Sequence, residues 1–388
     1  MDEQAKRGRG VRIVRLANFV TESSGGLRTA LRELGTGYAA AGHESVLVVP
    51  GRRDADEETG QGRVVTVASP AVPGMGGYRV ILDRRRLARL LRGLRPDRLE
   101  ISDRTTLRWT GAWARRYGVR TVMVSHESLD GLLRLLPGGH RRLADRLNAG
   151  TAGTHDRVLC TTSWAAAEFH RIGARNVVQV PLGVDLEHFR PDRYDLRLRA
   201  EHARQDELLL LHCGRLSPEK RPERSLAALA ALRARGVPAV LVVVGDGPRR
   251  VGLEAVAARD GLPVRFLRYV GDRDRLAGLL ASADVVLAPG PVETFGLAAL
   301  EALASGTPVV ASAESALPEV LGGAGMAAPG EGPAYADAVL ELANRPADRR
   351  RTAARRQAER YPWSAAVAGF LSAHDLGSGV PAATSGGR

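Results

Sequence analysis

Lysine is nearly absent. Of 56 basic residues only Lys6 and Lys220 are lysine, and the remainder are arginine. That skew, with many Ala and Gly, has the look of GC-rich coding and accounts for part of the charge. Cysteine occurs twice, as Cys160 and Cys213, each inside an apolar run, so neither a disulfide framework nor a paired-cysteine metal motif is implied. Aromatic residues make up 4% of the chain, and no basic stretch is interleaved with them. The formal net charge of +13 therefore does not by itself indicate nucleic acid, and no nucleic-acid partner is expected. No apolar run approaches the ~20 residues needed to cross a bilayer. The short apolar run behind the charged N-terminus contains Arg12 and Arg15, as a first strand can and a signal peptide does not. A cytoplasmic location is the expectation. The Gly-x-Gly-x-x-Gly fingerprint is missing from the first strand–helix turn, which argues against a pyridine-nucleotide oxidoreductase.

With 388 residues, 44% of them hydrophobic, the chain can bury two ordinary cores. Short β-branched runs alternate with Leu/Ala-rich periodic ones from about residue 11 onward. This pattern predicts an α/β protein with parallel sheets. Strands are expected at 11–17, 45–50, 119–125, 157–162, 177–181, 208–213, 240–244, 264–270, 285–288 and 308–312. Residues 1–10 read as a flexible tail and 377–388, small and polar, as a disordered one.

The most informative stretch is 284–312. Val285–Ala288 is an apolar run closed by Pro289 and Gly290, residues 295–304 read as a helix ended by Ser305 and Gly306, and a further strand begins at Pro308. Glu293 precedes the helix and Glu301 lies within it. The free N–H groups at 294–297, of Thr294, Phe295, Gly296 and Leu297, can hold an anion such as a diphosphate. For an arbitrary helix, two solvated glutamates would be the simpler account.

The string Glu-Thr-Phe-Gly-Leu-x-x-x-Glu-Ala-Leu-Ala-Ser-Gly-Thr-Pro-Val-Val at 293–310 resembles the donor-site signature of the retaining glycosyltransferases of family 4, which have the GT-B fold. The resemblance implies two Rossmann-like domains facing across a cleft: an acceptor domain at 11–187, a nucleotide-sugar domain at 188–360, and a last helix at 361–376 that crosses back to the first domain. It gives Glu293 the sugar hydroxyls and Glu301 the ribose. It matches Gly214-Arg215-Leu-Ser-Pro-Glu-Lys220 to a diphosphate clamp. A lysine kept in a chain that otherwise uses arginine fits a compact cation near phosphate. Gly25 and Gly26, between the first strand and helix, would let the diphosphate approach the backbone. Val270 lies in the segment facing the nucleobase, and His126, just past a strand end, would line the transferred sugar. No cofactor and no metal are expected; the nucleotide-sugar is the substrate, and a hydroxyl compound, with a lipid or glycolipid among the candidates, is the acceptor. Bacterial relatives with this style of motif point to mannose from GDP-mannose.

Other features carry alternatives. A UDP-sugar donor with a small-molecule or natural-product acceptor would use the same motifs. A non-catalytic polyanion- or lipid-binding protein is suggested by charge alone. Asp54-Ala-Asp56 and Asp272-Arg-Asp274 have metal-binding spacing, but the first lies in a polar segment, 51–62, that reads as a solvated loop. Residues 80–98 place Leu87, Leu90, Leu91 and Leu94 on one helical face with arginines elsewhere. An ordinary packed helix explains them, and peripheral contact with an anionic membrane is the sharper alternative.

Overall fold

The computed structural model describes residues 10–20, 25–72, 77–134, 141–268 and 270–377. Of the tails expected at 1–10 and 377–388, residues 1–9 and 378–388 lie outside them.

Two sheets organise the chain. The first contains β1 (Arg12–Leu16), β2 (Glu44–Gly51), β3 (Ala55–Thr59), β4 (Gly62–Ala68), β5 (Arg98–Ile101), β6 (Arg120–Ser125), β7 (Arg157–Cys160) and β8 (Val177–Gln179), in the order β3-β4-β2-β1-β5-β6-β7-β8. The second contains β9 (Leu208–Cys213), β10 (Ala239–Val244), β11 (Val264–Leu267), β12 (Val285–Ala288), β13 (Val309–Ser312) and β14 (Met326–Ala328), in the order β11-β10-β9-β12-β13-β14. Every pairing is parallel except β3 with β4. Helices cover both faces, which is why β10 is buried at all six positions and shows no polar alternation. In each sheet the chain winds outward from a central strand, returns, and winds the other way. The reversal falls between β1 and β5 in one sheet and between β9 and β12 in the other. Crevices for ligands form at the carboxyl ends of strands at such switch points.

The segment expected as a solvated loop at 51–62 is instead largely strand, because β3 pairs antiparallel with β4 as a hairpin edge. Its aspartates are satisfied by protein donors: Asp54 by the Ala68 N–H at 2.7 Å and by Arg86, Asp56 by Arg63 at 2.7 and 2.6 Å. Asp272 caps the helix Arg273–Ser282, accepting from the N–H groups of Asp274 and Arg275. Neither Asp-x-Asp pair is arranged as a metal cradle.

The chain returns to the first domain at its end. The helix Trp363–Ala373 packs on the helix Gly26–Ala40. Gly37 permits this approach, since a Cβ there would meet Val367 Cγ2 at 2.3 Å. Beneath the contact lies a buried polar group. The Arg15 guanidinium donates to the Leu31 carbonyl at 2.7 and 2.6 Å, Tyr38 donates to Glu100 Oε2 at 2.6 Å, and His374 Nε2 lies 3.2 Å from the same oxygen. Burial opposes the charge of Glu100, yet His374, Arg15 and Tyr38 together hold its pKa below the ordinary carboxylate value. The end of the helix Trp363–Ala373 is thus tied to β5 by groups far apart in sequence.

Candidate active site

The loops that leave β9 and β12 meet at the switch point of the second sheet. The β9 loop ends in a single tight turn, Pro218–Lys220, and the β12 loop carries Glu293. Their side chains join: Lys220 Nζ donates to Glu293 Oε1. Burial works against the ammonium, but the Glu293 carboxylate more than offsets it and raises the lysine pKa. Gly290 lies beside the pair, where a Cβ would make ordinary contact with Lys220 Cα at 3.4 Å and Glu293 Cγ at 3.5 Å.

The helix after Glu293 is Leu297–Ala304 and not 295–304. Gly296 is the reason. It is the N-cap with φ +80°, a left-handed conformation that breaks helical continuity and that glycine adopts without strain. A Cβ there would also strike Leu317 Cδ2 at 2.4 Å. The free amides at the head of this helix therefore start at Leu297. Phe295 is 3% exposed and its ring meets Tyr361 edge-on at 5.9 Å, so its side chain serves the core. Across the cleft, Gly26 begins the helix Gly26–Ala40, and a Cβ on it would lie 3.8 Å from Leu297 Cδ1. The two helix N-termini thus face one opening, with Gly25 as N-cap of the first and open space around it. Both present backbone N–H groups and the positive end of a helix dipole.

Glu301 is on the helix Leu297–Ala304, one turn from its end. Desolvation pushes its pKa up to about 7, against the pull of Arg273 and Arg32. Val270 is half-buried and packs at the edge of the core shared by the two domains. The Arg215 guanidinium lies 4.5 Å from the centroid of the Tyr78 ring, so the clamp arginine of the second domain stacks on an aromatic side chain of the first. Phe19 in turn meets Tyr78 edge-on at 6.3 Å.

His126 leaves the end of β6. Burial pushes its pKa down to about 4, leaving a neutral imidazole whose Nε2 lies 3.3 Å from Ser102 Oγ. Its carbonyl accepts a hydrogen bond from Thr294 Oγ1 at 2.7 Å, and the Thr294 carbonyl accepts from Thr161 and Thr162 at 3.1 and 2.9 Å. The donor-side loop is therefore stitched directly to the strand ends that carry His126. A second interdomain tie lies beside it. The Glu319 carboxylate accepts from Ser163 N at 3.0 Å, Ser163 Oγ at 2.6 Å, Trp164 N at 3.3 Å and Gln179 Nε2 at 3.0 Å. An acid from one domain thus caps a first-domain helix, Ser163–Arg171, at the end where negative charge is favoured.

Of the residues expected from sequence, Lys220, Glu293, Thr294, Gly296, Leu297, Gly25, Gly26 and His126 converge on this opening, Arg215 reaches it through Tyr78, and Glu301 and Val270 flank it. Sequence reading missed Tyr78, Thr161, Thr162 and Glu319, and also Arg104 and Glu168, which lie beneath the His126 loop.

The sequence profile described as Glycosyltransferase Family 4 matches residues 24–188, and that described as Glycosyl transferases group 1 matches 196–360. The chain is 50% identical over 366 residues to a GDP-mannose-dependent alpha-(1-6)-phosphatidylinositol dimannoside mannosyltransferase of Mycobacterium tuberculosis (strain ATCC 25177 / H37Ra), covering 93% of this chain and 95% of that one. It is 32% identical over 279 residues to a GDP-mannose-dependent alpha-mannosyltransferase of Mycolicibacterium smegmatis, covering 70% and 71%. Among solved structures, sucrose-phosphate synthase from Thermosynechococcus elongatus superposes with a TM-score of 0.75 at 21% identity, covering 94% of this chain and 98% of that one. WaaG, a glycosyltransferase involved in lipopolysaccharide biosynthesis, gives 0.70 at 19%, covering 95% and 100%. At these identities the structural likeness speaks for the fold.

Proposed function

The chain belongs to glycosyltransferase family 4 and is a hexosyltransferase of GT-B fold, and from that premise we propose that it moves mannose from GDP-mannose to a hydroxyl of a mannosylated phosphatidylinositol. The observation that carries this reading is the Lys220–Glu293 pair set between two facing helix N-termini. The pair is where a diphosphate and a hexose have to sit together. The relatives, one of them half identical over nearly the whole chain, supply the donor and the lipid acceptor.

Transfer proceeds with retention in this reading. As the anomeric C–O bond breaks, its electron pair passes to the β-phosphate oxygen. Lys220, Arg215 and the amides at the head of the helix Leu297–Ala304 stabilise that charge, so no metal ion is needed. The acceptor oxygen attacks from the same face and gives its proton to the departing phosphate. Glu293 exchanges its bond with Lys220 for hydroxyls of the sugar, and Glu301 receives the ribose hydroxyls. The paired-carboxylate arrangement of glycosidases is not used.

The acceptor is a lipid, and the first domain offers a surface suited to one. A groove of about 660 Å³ runs between the helices Arg84–Leu94 and Trp109–Arg116, with Arg85, Arg89, Arg92 and Arg116 beside Trp109 and Trp113. Arginine beside tryptophan suits the interface of an anionic membrane. Leu87, Leu91 and Leu94 are buried beneath it, which frees the basic face. No helix of the described residues is long and apolar enough to cross a membrane, and we place the protein at the membrane surface on its cytoplasmic side. Flotation with anionic vesicles in low and high salt tests this: the protein rises with the vesicles at low salt only, and failure to rise at any salt refutes it.

The donor reading is tested by calorimetry with GDP, UDP and ADP, followed by radiolabel transfer from GDP-mannose to phosphatidylinositol dimannoside. Heat with GDP alone, and labelled lipid unaffected by EDTA, are expected. Preference for UDP, or loss of transfer on chelation, contradicts it.

A further inference from the structure

One carboxylate in the cleft has no part in the reaction as described above. Glu127 follows His126 at the carboxyl end of β6, and its side chain is exposed. No side-chain donor among the described residues reaches its carboxylate. Its backbone, in contrast, is held with unusual care. Arg104, 5% exposed, donates to the Glu127 carbonyl and to Asn148 Oδ1 at 3.2 Å. Glu168, 4% exposed, accepts from Ser128 Oγ, from Leu129 N at 3.2 Å, from Asp130 N at 3.1 Å, from Asn148 Nδ2 at 3.1 Å and from Arg104 at 3.4 Å. The residue before Glu127 is bonded through its carbonyl to Thr294 of the donor loop.

This arrangement has a definite cost. A buried ion pair and a buried amide are spent on fixing a loop whose central side chain faces solvent. Desolvating Arg104 and Glu168 is only partly offset, since Arg104 Nε is buried with no hydrogen-bond partner among the described residues, and a surface loop does not require such a pair. The charged groups facing the Glu127 carboxylate come from both domains: Asp103 and Arg104 from the loop after β5, Glu219 and Lys220 from the loop after β9. Protein closes round the carboxylate on most sides, which raises its pKa, while water still reaches it. It is therefore a fixed, ionisable acceptor of hydrogen bonds aimed at the space between the His126 strand and the diphosphate clamp.

We propose that Glu127 binds the acceptor: its carboxylate accepts a hydrogen bond from a hydroxyl of the acceptor's sugar or polyol ring and so sets which hydroxyl meets the anomeric carbon. It takes no proton, since that passes to the leaving phosphate. Arg104 and Glu168 are positioning residues that hold it there. A carboxylate accepting from a sugar hydroxyl favours the acceptor that places a hydroxyl there, because a hydrogen bond to a charged group is stronger than one between neutral groups. The inference rests on the glycosyl-transfer reading given above.

The test is steady-state kinetics of Glu127→Gln and Glu127→Asp with saturating GDP-mannose and varied phosphatidylinositol dimannoside in detergent micelles, beside calorimetry with GDP. For Glu127→Gln, kcat/KM for the acceptor falls about 10- to 100-fold, the worth of a hydrogen bond to a charged group, while GDP affinity is unchanged. Glu127→Asp regains part of the loss. Acceptor kcat/KM within twofold of the wild type in Glu127→Gln would overturn the proposal. So would an equal loss of GDP affinity, which would mark a damaged fold. A wild-type protein that binds no GDP and labels no lipid would instead overturn the donor reading, and this inference with it.

Discussion

The two walls of the cleft are built on opposite plans. On the wall proposed to hold the donor, the assigned groups lie within short loops of the second domain: Arg215 and Lys220 in one, Glu293 to Leu297 in the other, with Glu301 a little farther along. They meet because β9 and β12 are adjacent strands at a switch point, so proximity follows from topology. On the wall proposed to face the acceptor, the turn that carries the exposed Glu127 into the helix Leu129–Arg134 is held from beneath by Arg104, Asn148 and Glu168, from three separate elements. A nucleoside diphosphate can be gripped by backbone amides and point charges, which tolerate local sequence only of a narrow kind. An acceptor chosen by its hydroxyls needs side chains at fixed distances, and a network of buried polar groups supplies the rigidity.

Substitutions on the two walls should therefore fail differently. The largest effect is expected on the donor wall. Lys220→Ala and Glu293→Ala each lose roughly 10²- to 10³-fold in kcat, the range for removing a group that stabilises transition-state charge. Lys220→Ala also weakens GDP binding, because the lysine holds the diphosphate, whereas Glu293→Ala leaves it nearly intact. Calorimetry beside radiolabel transfer separates the two. Similar GDP affinities in both variants would erase the division of labour assigned to the pair.

Next in size is a pH effect at Glu301. Its pKa is pushed up to about 7 by desolvation. The ribose hydroxyls donate to the ionised form, so GDP binds more tightly as pH rises through 7. Between pH 6 and 8 the affinity gains up to about tenfold, one pKa unit of differential interaction. Glu301→Gln flattens the profile. A wild-type affinity independent of pH would separate this carboxylate from the ribose.

Smaller effects test the ties between the walls. Glu319→Ala removes the carboxylate that caps the helix Ser163–Arg171 from the other domain, at a cost of about 1 kcal/mol, typical for a helix cap. Thermal melting records the loss. Because the tie crosses the cleft, small-angle scattering should also show a larger radius of gyration, and an unchanged radius would reduce Glu319 to an ordinary cap. Stability against acid sharpens the picture away from the cleft. The pKa of Glu100 is depressed in the folded state, so it stabilises above the ordinary carboxylate pKa of about 4.3, and that contribution is lost as pH falls through the folded value. The wild-type melting temperature should decline more steeply with acid than that of Glu100→Gln. Parallel profiles would show that the Arg15–Tyr38–Glu100–His374 group carries no pH-linked stability.

How far each wall could be read from sequence follows from the same difference. The 293–310 string and the 214–220 loop are contiguous, and each carries its pattern within a few residues, so family and fold were readable, and the residues proposed here for the donor stood out with them. The start of the helix at Leu297 was not, because no local pattern records that Gly296 takes a left-handed conformation there. The hairpin at β3 was hidden by its charges, which pair across strands as Arg63 does with Asp56. Glu168 looks like any glutamate on a helix. Its partners are 20 to 64 positions away, and no local pattern records them. The single lysine of the described residues was the exception: composition alone marked Lys220, and its bond to Glu293 required the fold.

The most direct test of the central claim is isothermal calorimetry of GDP binding to the wild-type protein and to Lys220→Ala at neutral pH without added metal. Tight binding of GDP, unaffected by EDTA and strongly weakened by the substitution, is the result expected of a diphosphate held by a lysine and helix amides. GDP binding that requires a divalent ion, or that survives loss of Lys220 undiminished, would contradict it.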